Sequence, residues 1–80
     1  MSENTGLFNL SVVKKTMIKE TVKEIYDSLK EKGYNPINQI VGYLMSGDEN
    51  YISNYQNARE KILELDRAQI IEFLLTESLK

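Results

Sequence analysis

The stretch Glu31–Asp48, EKGYNPINQIVGYLMSGD, decides the fold. It holds three of the four glycines and the only proline. Gly33 predicts a helix C-terminal cap, because glycine enters the left-handed conformation without a Cβ clash. Asn35 followed by Pro36 predicts an N-cap and a first helical residue. The asparagine oxygen can accept a free backbone N–H, and proline has no N–H to leave unsatisfied. Ile37 to Met45 are mostly apolar, and Ser46-Gly47-Asp48 closes that element and opens the next. The reading is a short, capped, deeply buried helix with no chemistry in it.

Upstream, one long amphipathic helix is expected from Ser11 to Lys32. Ile18, Val22, Ile25 and Leu29 recur at spacings of four, three and four, which makes one apolar stripe. Tyr26 widens the stripe, and Val13 and Met17 extend its first half. Lysines and acids fill the other face, with Glu20–Lys23 and Asp27–Lys30 expected as i,i+3 pairs worth at most about 0.5 kcal/mol each. Lys30 and Lys32 suit the negative end of the helix dipole. Residues 1–10, MSENTGLFNL, show no helical period and are expected to form a flexible tail. Residues 11–80 then make a single helical domain.

Downstream, Asp48 is expected to cap a short turn through Tyr51 and Ile52, and residues 53–57 to form a loop. Asn57 is the expected N-cap of a third helix, Ala58 to Leu65, with Ile62 and Leu65 inward. Asp66 is the expected cap of a last helix, Arg67 to Leu79. Whether the last two are separate or one kinked helix is open at this level. The fold class is all-α, with four to five helices. No hairpin pattern, internal repeat or low-complexity segment is present.

Two helices are too apolar for a chain of 80 residues to cover. At 100° per residue, Ile37, Ile40, Val41, Tyr43, Leu44 and Met45 span about 200° of arc, and so do Ile70, Ile71, Phe73, Leu74 and Leu75. A surface helix needs about half that. Gly42 lies just outside the first arc, where a neighbouring backbone can approach. The simplest cover is a second copy, since two-fold homodimers are the commonest oligomers. The expected interface is Ile37, Ile40, Val41, Leu44, Ile70, Ile71, Leu74 and Leu75.

Composition narrows the function classes. The chain is 41% hydrophobic and 28% charged, as in ordinary globular proteins. Small domains lean on disulfides, metals or self-association. Without cysteine there are no disulfides, and without histidine as well a zinc site is not expected, which leaves self-association. The same absences remove the commonest nucleophiles and acid–base groups, so no enzyme and no cofactor are expected. A net charge of −2, with lysines and acids interleaved, argues against nucleic acid as a partner. A helix-turn-helix around Gly33 would place in the groove a helix without lysine or arginine. No membrane-spanning run or signal-peptide layout is apparent, so a cytoplasmic location without membrane insertion is expected.

Few residues invite a site. Gly42 and Gly47 form no phosphate-loop pattern, and Asp48-Glu49-Asn50 fits a helix cap better than a calcium loop. Tyr34, Tyr43, Tyr51 and Tyr55 bracket the middle of the chain, as core or interface aromatics do. Arg59 and Arg67 are the only arginines. If one helix ran through both, they would stand about 80° apart and can form a small anion or carboxylate site. The alternative is ordinary pairing with Glu60, Glu64 or Asp66. Thr5 is the residue most open to regulation. A phosphate there adds about −1.5 to −2 charges, enough to order the tail or dock it on a basic group.

The Glu31–Asp48 block resembles the signature of the IreB family of small regulatory phosphoproteins of Gram-positive bacteria, which includes the ReoM proteins. The likeness continues through Tyr51-Ile52, Ala58-Arg59 and Ile70-Ile71-Glu72. It implies an all-helical homodimer without enzymatic activity. It also implies phosphorylation by a membrane-anchored Ser/Thr kinase with extracellular PASTA repeats, reversed by the cognate phosphatase. The family site is a tail threonine ahead of an aromatic-Asn-apolar segment, a place that Thr5 takes here before Phe8-Asn9-Leu10. Some members carry a second threonine upstream, where this chain has Ser2. In the better understood members the unphosphorylated protein promotes Clp-protease degradation of the UDP-N-acetylglucosamine enolpyruvyl transferase. Phosphorylation relieves that, and peptidoglycan synthesis and cephalosporin resistance respond. Family members tend to carry more arginines around the third helix. Arg59 and Arg67 match two of them, whereas Asn54, Leu63 and Glu64 stand where basic residues are often found. The reading from another class is a constitutive helical adaptor whose last helix recruits a partner irrespective of phosphorylation.

Overall fold

A computed structural model describes residues 10–80, with side chains from residue 12 onward. The helices are α1 (Leu10–Glu31), α2 (Pro36–Ser46), α3 (Ala58–Leu63) and α4 (Arg67–Ser78). Single 3₁₀ turns occupy Glu49–Tyr51 and Tyr55–Asn57. Among the described residues there is no strand. α1 is the central element: α2, α3 and α4 all pack on it.

The signals at the helix ends act as the residue types require. Gly33 sits at φ +94°, and the Tyr34 N–H reaches back to the Leu29 carbonyl at 3.0 Å. That bond satisfies a carbonyl the helix end would leave open. The Asn35 side chain accepts the Asn38 N–H at 3.1 Å, and Pro36 starts α2. At the other end Gly47 takes φ +78° and donates to the Tyr43 carbonyl at 2.7 Å. Asp48 caps the first 3₁₀ turn by accepting the Asn50 N–H at 2.9 Å. The last two helices are separate. α3 stops at Leu63, and Asp66 in extended conformation accepts the Gln69 N–H at 3.1 Å to start α4.

The core is small. Ile18, Ile25 and Leu29 from α1 meet Ile40 and Tyr43 from α2, Ile52, Ala58 and Ile62, and Ile70 from α4. Val22, Leu44, Leu65 and Phe73 pack around them, half-buried. Each fully buried isoleucine contributes roughly 1.5–3 kcal/mol by leaving water. The α1 stripe therefore holds from Ile18 onward. Ahead of it Met17 does not bury as expected, at 57% exposed, and Val13 is half-buried. The charge pairing also differs. Lys23 joins Asp27 at 3.2 Å, four residues on, and Lys30 lies over the Tyr26 ring instead of pairing with Asp27. Glu24 reaches across to Lys61 on α3 at 3.4 Å.

The link between the turns and α3 is unusual. Gln56 and Asn57 are consecutive non-glycine residues with φ +54° and +62°. Conformations of this kind cost about 1–3 kcal/mol each unless their surroundings enforce them. Here the buried Ser28 hydroxyl donates to the Gln56 amide oxygen at 2.6 Å. Ser28 would otherwise be an unpaired polar group inside the core. Asn57 makes no side-chain cap. Asn54 serves α3 instead, its amide oxygen accepting the Arg59 N–H at 3.3 Å. The turn before it is clamped by Gln39, whose amide accepts the Ser53 N–H at 2.8 Å and donates to the Ser53 hydroxyl at 3.1 Å.

Candidate functional site

The wide apolar arcs of α2 and α4 are each cut in two by the fold. On α2, Ile40 and Tyr43 turn inward and are buried, while Ile37, Val41 and Met45 are 57%, 45% and 83% exposed. Those three stand at spacings of four, so they form one stripe down the outer side of the helix. On α4, Ile70 is fully buried and Phe73 half-buried, whereas Ile71, Leu74 and Leu75 are exposed. Of the expected interface residues, Ile40 and Ile70 lie in the chain's own core, 6% and 0% exposed in the single chain. Leu44 is half-buried against the same core.

The two open stripes join at one end. Leu44 and Met45 at the end of α2 and Asp66, Arg67, Ala68 and Ile71 at the start of α4 line one shallow depression. Tyr51 extends the face on the α2 side. Its ring lies where a Cβ on Gly42 would stand, 2.5 Å from Cδ1. Gly42 therefore admits an aromatic side chain, and no neighbouring backbone as expected from the sequence. Met45, 83% exposed near the end of α2, continues the Ile37–Val41 stripe.

The arginines do not act as one site on a shared helix, because α3 ends before α4 begins. Arg59 donates through Nε to the Ile52 carbonyl at 2.6 Å and ties the turn to α3. Arg67 donates through Nη1 to the Leu44 carbonyl at 3.4 Å, near the C-terminal end of α2, where a cation is favoured. Its guanidinium also lies against the Gly47 α-carbon: a Cβ there would stand 2.6 Å from Nη1. Among the described residues, neither arginine forms an ion pair with Glu60, Glu64 or Asp66. Asn54 and Leu63 differ in use: the first caps α3, and the second is 51% exposed.

A second opening lies between α1 and α4. Lys14, Lys15 and Ile18 on one side and Gln69, Phe73 and Thr76 on the other bound a groove of about 500 Å³. Beyond it, Glu77 is held below the usual carboxylate value, first by a hydrogen bond from Lys80 and then by the charges of Lys80, Lys19 and Lys15. Among the described residues, no group of three or more candidate ligands is placed to hold a metal, and no helix is long and apolar enough to cross a membrane. Thr5 and Ser2, with the rest of the expected tail up to residue 9, lie outside the described residues. Compared with known families, residues 3–80 match the family model described as IreB regulatory phosphoprotein, a span that includes Thr5 and all four helices.

Proposed function

The chain belongs to the IreB family of regulatory phosphoproteins, and from that membership we propose that Thr5 is its switch residue. A PASTA-domain Ser/Thr kinase adds the phosphate and the cognate phosphatase removes it. In the unphosphorylated form the chain promotes Clp-dependent turnover of UDP-N-acetylglucosamine enolpyruvyl transferase, and phosphorylation relieves that. Peptidoglycan synthesis and cephalosporin resistance follow the switch, which works in the cytoplasm without catalysis by this chain.

The observation that carries the reading is a family match that runs through Thr5 and spans the whole helical domain. Incubation with the kinase followed by mass spectrometry tests it. Phosphate on Thr5, lost in Thr5→Ala, is expected; phosphate on other residues only, with Thr5→Ala still modified, refutes it. Equal partner binding by wild type, Thr5→Ala and Thr5→Glu would replace the switch with a constitutive adaptor.

The working form is a homodimer across the outer stripes of α2 and α4. Its support is the exposed apolar side chains of Ile37, Val41 and Met45 on α2 and of Ile71, Leu74 and Leu75 on α4, two sets that meet where Met45 and Ile71 line one depression. Light scattering at micromolar concentration should give twice the 9.3 kDa chain mass. A monomer at that concentration ends the dimer reading without touching the switch.

A further inference from the structure

We propose that the groove between α1 and α4 is the docking site of the chain's own phosphorylated tail. The Thr5 phosphate is held by Lys14 and Lys15 at the edge of that groove. The inference rests on Thr5 carrying the phosphate, as proposed above, while the groove itself played no part in that reading.

The groove has the chemistry of such a segment. Its floor is apolar, with Ile18 6% exposed and Phe73 half-buried. Its α1 bank is basic. At 100° per residue, Lys14 and Lys15 stand about 40° and 60° to either side of Ile18 and one turn before it. Among the described residues, neither lysine is used in an ion pair. Glu72 lines the opposite bank, so the phosphate is expected on the α1 side, away from that carboxylate. A phosphate dianion offers three acceptor oxygens to two ammonium groups, and charge-assisted bonds of this kind are about twice as strong as neutral ones. The free threonine hydroxyl offers neither charge nor those acceptors, which makes docking conditional on modification.

Reach and tether agree with this. Five residues separate Thr5 from Leu10, the first residue of α1, so the tail extends at most about 17 Å from the helix start. Lys14 and Lys15 lie only about 6–7.5 Å along the helix axis from that point. The segment can therefore double back along α1, with Leu7 and Phe8 between the helix start and the phosphate. A tether this short gives an effective concentration on the order of millimolar, so a weak intrinsic affinity is sufficient. The arginines are engaged elsewhere, on the carbonyls of Ile52 and Leu44.

The test uses the full chain with phosphothreonine genetically encoded at position 5, which makes it independent of any kinase. Amide chemical shifts of the phosphorylated and unmodified proteins are compared at low salt. The expected changes cluster at residues 12–20 and 69–77, shrink as salt rises, and fall at least fivefold in Lys14→Gln/Lys15→Gln. Both substitutions are on exposed side chains, and an unchanged unmodified-state spectrum shows that the fold is kept. Changes centred on Arg59 or Arg67, changes that persist in the double variant, or none on the helical body overturn the proposal. Failure of the kinase to modify Thr5 would defeat the proposed function and leave this result standing.

Discussion

Helices α2 and α4 carry apolar arcs of about the same width, yet the fold treats the two halves of each arc in opposite ways. One half is sealed: Ile40 and Ile70 are 6% and 0% exposed. The other half stays open, at 57% for Ile37 and again for Leu75. The difference teaches that an over-wide arc carries two separate messages. Its inner half reports how the monomer closes, and its outer half is the face that we propose meets a second copy. Residue type alone does not separate the halves, since isoleucine stands in both: Ile40 and Ile70 inward, Ile37 and Ile71 outward. Only the direction in which the helix presents each side chain does.

The largest expected effect is in the core that the sealed halves join. Ile62→Ala removes a fully buried side chain and should cost about 2–5 kcal/mol in urea unfolding. A loss under about 1 kcal/mol would show that the core is not close-packed. On the open side, Leu75→Lys should leave the fold of the protomer intact. It should raise the dissociation constant of the proposed dimer at least tenfold, about 1.4 kcal/mol or more, in sedimentation equilibrium. If Leu75→Lys unfolds the chain as Ile62→Ala does, the division into inner and outer halves fails.

Gly42→Ala probes the boundary between the halves. The new methyl meets the Tyr51 ring, so the ring must move, at a cost of about 1–3 kcal/mol by overpacking. A loss that disappears when Tyr51→Ala is added would place the strain in that contact. The smallest effect is at the exposed end of α4, where Lys80→Ala should return the Glu77 carboxyl toward its ordinary value of 4.5. A lowered carboxylate favours the folded state above its unfolded pKa, and that contribution fades as the pH falls through the folded value. Because Glu77 is a surface residue, the readout is its NMR titration, and the melting temperature should not move.

Much of the scaffold was legible because it rests on local rules. α2 has the bounds that Asn35-Pro36 and Ser46-Gly47 indicate, and Asp48 and Asp66 cap the elements they precede. The break between α3 and α4 remained open because Leu63, Glu64 and Leu65 suit a helix interior as readily as a helix end. Gln56 and Asn57 gave no warning of left-handed backbone, since that conformation is usually bought by glycine. Here it accompanies a hydrogen bond from Ser28, twenty-eight positions earlier, to the Gln56 side chain. The arginines were misleading for a related reason. Their spacing suggested a shared face, whereas each is committed to the carbonyl of a different segment.

The sequence by itself determined the all-α class, the glycine stops, the aspartate caps and the family, since capping and periodicity are settled by neighbours within a few residues. The tertiary structure decided which half of each apolar arc is core and which is surface. It also decided that Arg59 and Arg67 brace separate turns, and that α1 and α4 leave a lysine-edged groove between them. These outcomes depend on how helices distant in sequence pack on α1, and no local pattern records that packing.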